Sequence, residues 1–137
     1  MLADFIITIE DARKPLAVRV VVHENLRALR SAATKWDNKG QNIKKRKYGE
    51  FHDTLGLCQR FHMMNDPLCA IVRLAPPHLG AGIIAHEMGH AAVHIREIEY
   101  KYETPPLCSD NDERFCWILG ALVRQAVDTM YKYGVYD

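Results

Sequence analysis

No run of roughly 18 or more consecutive apolar residues occurs in this 137-residue chain, so no segment reads as a membrane-spanning helix. A one-sided charge is missing too. Lys and Arg number 18 against 17 Asp and Glu, a formal +1, and bulk electrostatics commit the chain to neither nucleic acid nor a membrane surface. The four cysteines, Cys58, Cys69, Cys108 and Cys116, form no C-x-x-C pair, which argues against zinc-ribbon or thioredoxin chemistry. They read most simply as buried free thiols, although Cys58 and Cys69 are spaced to face each other across a hairpin. Met1-Leu2-Ala3-Asp4-Phe5 lacks the basic and long apolar regions of a secretory signal, so a cytoplasmic protein is expected. Internal repeats and low-complexity tracts are absent as well. With 48% apolar and 26% charged residues, residues 1–137 are expected to form one globular domain.

What the chain does contain is His86-Glu87-Met88-Gly89-His90, an H-E-x-x-H pattern inside an apolar run. On a helix, residues four apart differ by about 40° in direction and about 6 Å in height. Both imidazoles therefore reach one ion, which takes nitrogen ligands at about 2.0–2.1 Å. Glu87, next to the first histidine, is placed to act on water as a general base without being a ligand. The plainer reading is a polar helix face or a satisfied core pair. Against it, the neighbours Ala85, Met88, Gly89, Ala91 and Ala92 are all small or apolar. Burying three titratable groups there without a partner is costly, and a cation supplies the compensation.

Periodicity orders the rest. Phe5 to Ile9 and Leu16 to Val22 read as paired strands across the Asp11–Pro15 turn. Glu24 to Trp36 has Leu26, Leu29, Ala33 and Trp36 at helical spacing. Asp37 to Gly49 lacks periodicity and holds Lys44, Lys45, Arg46 and Lys47, a loop. Leu55 to Met63 and Leu68 to Leu74 suggest a second hairpin. The H-E-x-x-H helix is predicted from Leu79 to Ile95, and a last helix from Asp110 to Tyr131, with Ser109 or Asp110 as its cap. The order β-β-α-β-β-α-α defines an α+β fold with a small, mostly antiparallel sheet.

A catalytic zinc ordinarily has three protein ligands. His94 lies about 12 Å along and about 80° around the helix from His86, which suits a core histidine better than a third ligand. The longer H-E-x-x-H-x-x-G-x-x-H pattern is broken by Val93 and Arg96. An acidic ligand from the last helix remains. Glu113 is preferred over Asp112 and Glu103, since it lies four residues before Trp117 near the packed side and His₂Glu sets are common. Tyr131, Tyr133, Tyr136, Arg124 and His94 are the candidates for stabilising an oxyanion.

His86 to His94, followed by Asp112-Glu113-Arg114-Phe115, resembles the ImmA/IrrE-type family of small gluzincin-like metallopeptidases over roughly the C-terminal 60 residues. That resemblance implies a minimal zincin-like domain with zinc on His86, His90 and Glu113, and Glu87 as general base. It also implies hydrolysis of peptide bonds in a protein substrate, in a phage or mobile-element setting. In such metallopeptidases the peptide often adds to a sheet edge beside the active helix, here expected at Cys69 to Leu74. Two other readings stand beside it. One is a DNA-associated protease similar to the SprT family, with Lys44 to Lys47 touching nucleic acid. The other is a zincin-shaped binding protein without catalysis.

Overall fold

A computed structural model describes residues 1–11, 14–39 and 53–136. Ala3–Ile9 (β1) and Leu16–Val22 (β2), rich in β-branched residues that favour a pleated backbone, pair antiparallel from Ala3 opposite Val22 to Ile9 opposite Leu16. Leu26–Asn38 (α1) follows. Asn25 caps it, its Oδ1 accepting the Ala28 N–H at 2.9 Å. Leu57–Arg60 (β3) and Leu68–Leu74 (β4) form the second hairpin, and β4 pairs in parallel with β2. The four-stranded mixed sheet thus runs β1-β2-β4-β3. Ala81–Glu99 (α2) and Glu113–Lys132 (α3) complete an α+β fold in the expected order. Among the described residues, no helix is long and apolar enough to cross a membrane.

Three local expectations are corrected. The strand at Cys69 to Leu74 is interior, flanked by β2 and β3, and β3 is the edge on that side. Its residues are buried without alternation, as a strand covered on both faces requires. Cys58 stands opposite Val72, while the Cys69 carbonyl accepts the Phe61 N–H, so the two thiols are out of register. All four cysteines are free as expected, but Cys108 and Cys116 are exposed rather than buried. Neither Ser109 nor Asp110 caps α3. Asn111 holds a turn instead, accepting from the Cys108 N–H and donating to the Pro106 carbonyl, and the helix starts at Glu113.

The two sheet faces differ. Phe5, Ile7, Val18, Val20, Ala70, Val72 and Leu74 meet Ile84, Met88, Ala91 and Ile95 of α2 and Ile118, Leu122, Ala126 and Met130 of α3. Each large side chain fully buried there contributes about 1.5–3 kcal/mol. On the α1 side lies a polar layer. Arg73 Nε donates to Gln59 Oε1 at 2.7 Å, and Gln59 Nε2 donates to the Ala33 carbonyl and to Asp37 Oδ1. Arg73 Nη1 meets His23 Nε2 at 3.3 Å, with the neutral imidazole accepting. Nearer β1, Arg19 grips both oxygens of Asp4 at 2.8 and 2.6 Å.

This layer makes the fold acid-sensitive. Burial, and next the Arg73 charge, push His23 down from 6.5 to about 4. Between those values the unfolded chain takes a proton that the folded chain refuses. The contribution is therefore full above pH 6.5 and is lost as pH falls toward about 4. Urea unfolding is expected to show a loss of about 3 kcal/mol across that window, with a distinctly shallower slope in His23→Gln. An unchanged slope in the variant would contradict the assignment.

Candidate active site

The apolar stripe of α2 sets the direction of its polar groups. With Ile84, Met88, Ala91 and Ile95 against the sheet, a turn of 100° per residue leaves His86 and His90 on the solvent side, both exposed. Glu87 turns inward toward β3 and is only 6% exposed.

His86 Nε2 and His90 Nε2 lie 3.3 Å apart, with their rings edge to face. Two nitrogens at about 2.0–2.1 Å from one tetrahedral ion must stand about 3.3–3.4 Å from each other. That separation equals one edge of a zinc coordination tetrahedron, and it is equally that of the hydrogen bond the two rings make with each other here. Burial, then the charges of His86 and Arg60, holds His90 below its ordinary value, which favours the neutral ring that has a lone pair to give. Glu87 Oε1 is 3.9 Å from His86 Nε2. Burial raises the Glu87 carboxyl above 4.5, opposed by His86.

The surroundings of Glu87 come from β3 and its approach. A Cβ added to Gly56 would stand 2.9 Å from Ile83 Cγ2 and 3.2 Å from Glu87 Cγ, so only glycine lets the chain pass this close to α2. Cys58 follows, its thiol pushed up to about 12 by burial and secondarily by Glu87, an unreactive wall. His94 Nε2 donates to the Phe61 carbonyl at 2.8 Å, so its ring ties α2 to the residue after β3. Gly56 and the exposed Arg60 are site residues that sequence reasoning missed. No periodicity in the sequence marks either position, because their role depends on how β3 docks against α2.

Glu113 is not brought to the histidines. It is exposed at the start of α3, in a cleft with Tyr100, Asp110, Asn111 and Trp117. The next residue, Arg114, is bonded to Glu99 at the far end of α2. From His90 to Glu99 is about 13 Å of helix. Asp112 occupies the α3 cap position, and Glu103 lies in the connection before it. Among the described residues, no group of three His, Cys, Asp or Glu side chains is gathered to hold a metal. Three oxyanion candidates are otherwise engaged: His94 with the Phe61 carbonyl, Tyr133 Oη donating to the Asp4 carbonyl and Tyr136 Oη to the Leu79 carbonyl. Lys44, Lys45, Arg46 and Lys47 lie outside the described residues.

Searches against protein-family models, curated proteins and solved structures find no match to this chain.

Because folding raises the Glu87 pKa, its ionised form costs stability at every pH above 4.5. Glu87→Gln is therefore expected to raise the urea midpoint near neutral pH, with the gain fading as pH falls toward 4.5. A variant less stable than the parent would show that the carboxylate is a structural partner instead.

Proposed function

We propose that the chain is a zinc-dependent metallopeptidase that hydrolyses peptide bonds of a protein substrate, on a minimal zincin-like domain. The observation that carries this reading is the 3.3 Å separation of His86 Nε2 and His90 Nε2 on the exposed face of α2, with a buried carboxylate one residue away. When bound, zinc polarises a carbonyl and acidifies a water molecule. Glu87 takes the proton from the attacking water and passes it to the departing amine, and its burial strengthens it as a base. The outer edge of β3 replaces the Cys69–Leu74 strand as the place where an extended peptide adds. The resemblance of the H-E-x-x-H helix to the ImmA/IrrE-type family supports the same chemistry.

Glu113 acts as the third ligand only if the start of α3 comes to the histidines. Its present place at the Glu99 end of α2 favours a ligand from elsewhere.

Elemental analysis of the untagged protein, together with hydrolysis of fluorescein-labelled casein, tests the reading. About one zinc per chain is expected, lost in His86→Ala and in His90→Ala. Glu87→Gln should keep the metal and lose at least about 100-fold in hydrolysis. Glu113→Gln should keep the metal, whereas its loss would place Glu113 on the ion. A parent protein that takes up no zinc, or a Glu87→Gln variant as active as the parent, would sink the proposal.

A further inference from the structure

Among the described residues, three buried side-chain nitrogens and oxygens lack a hydrogen bond, and all three lie at the Glu99 end of α2: Arg96 Nε, Arg96 Nη2 and Thr104 Oγ1. Arg96 belongs to the last turn of the helix and is 5% exposed. Thr104 follows the chain reversal that ends the helix, in which the Tyr102 N–H bonds to the Glu97 carbonyl. Protein interiors seldom leave such donors unpaired. A buried guanidinium without an acceptor is among the costliest cases.

The two unpartnered nitrogens form a matched pair. Nε–H and Nη2–H point the same way along one edge of the guanidinium, the edge that grips both oxygens of a carboxylate. Elsewhere in this protein that edge is used. Arg19 closes it on Asp4, Arg114 on Glu99 and Arg30 on the Thr54 carbonyl. At Arg96 the same fork is enclosed and bonds to nothing.

The carboxylates near this helix end do not serve it. Glu99 is held by Arg114, Glu97 turns to His94 Nδ1 at 3.8 Å, and Glu103, Asp110 and Glu113 are exposed. The helix C-terminus offsets part of the positive charge, and the Tyr100 ring lies 5.2 Å from the guanidinium carbon. Neither supplies an acceptor to the edge. Tyr100 is itself 39% exposed, so on that face the guanidinium lies one side chain below the surface. The reversal beside it is strained, since Lys101 and Tyr102 take φ of 53° and 65°, the left-handed region that disfavours a residue with a Cβ. A strained surface turn opens at less cost than the packed helix beneath it.

We propose that the Arg96 fork is a binding site for a small carboxylic acid, which enters past Tyr100 and sets its two oxygens on Nε–H and Nη2–H. Glu97, Glu99 and Glu103 around the helix end favour a singly charged carboxylate over the more highly charged phosphate. His90 lies about 9 Å back along the helix, so the site is separate from the histidine pair and independent of the peptidase reading.

NMR of the isotope-labelled full-length protein at near-neutral pH follows the arginine Nε–H resonances as sodium acetate, sodium phosphate or sodium chloride is added at matched ionic strength. The Arg96 resonance is the one absent from Arg96→Met. It should move saturably with acetate in the millimolar range, more weakly with phosphate and not with chloride, while those of Arg19 and Arg114 stay in place. Acetate at about ten times its dissociation constant should raise the thermal midpoint by about 4 °C. Arg96→Met puts an apolar side chain where the unpaired charge stood, so in chloride its midpoint should be no lower than the parent's, and its response to acetate should vanish. Arg96→Lys keeps the charge without the fork and should bind acetate at least about fivefold more weakly.

An Arg96 resonance indifferent to acetate, equal shifts with chloride, tighter binding of phosphate, or an undiminished acetate response in either variant would overturn the proposal. So would an Arg96 resonance that moves on Glu103→Gln in acetate-free buffer, which would give the fork to the chain's own carboxylate.

Discussion

The rotation of α2 about its own axis is the constraint on which the rest depends. Ile84, Met88, Ala91 and Ile95 are each at most 1% exposed against the sheet, and close-packed interiors leave little freedom to roll a helix so anchored. Once that stripe is seated, His86 and His90 must face solvent together, and Glu87 must face β3. The core and the site are thus two sides of one periodicity. A substitution that rolled α2 would disturb the His86–His90 pairing and stability together, without touching either imidazole.

The sheet supports this arrangement from behind. Parallel pairing of β2 with β4 puts the most apolar strands at the centre, which leaves β3 as the edge beside α2. The short β3 is held on its far face by Gln59, which bonds to α1 and Arg73, and by the following Phe61, whose ring lies tilted against Trp36. Those contacts fix the approach of Gly56 to Glu87. The polar layer under α1 is therefore more than solubilising. It sets the distance between the edge strand and the active helix, at the expense of a buried histidine that resists protonation.

Much of this was legible in the sequence because it is local. Strand runs such as Phe5 to Ile9 and the helical spacing of Phe115, Ile118, Leu122 and Ala126 give the order of elements without any long-range information. The meeting of His86 and His90 follows from helical geometry alone. What could not be read depends on how separated segments dock. Glu113 was preferred for standing four residues before Trp117 on the expected packed side, yet Trp117 is exposed and Arg114 ties the start of α3 to the Glu99 end of α2. The strand at Cys69 to Leu74 was taken for an edge although its unbroken apolar run already argued for the centre. Gly56 carries no pattern by itself, and its need appears only when Ile83 and Glu87 are seen against it.

X-ray absorption at the zinc edge of the metal-loaded protein tests the central claim most directly. The account predicts two imidazole nitrogens at about 2.0–2.1 Å, with imidazole scattering reduced by half in His90→Ala. A spectrum with no imidazole signature, or one unchanged in that variant, would contradict the claim that α2 holds the metal.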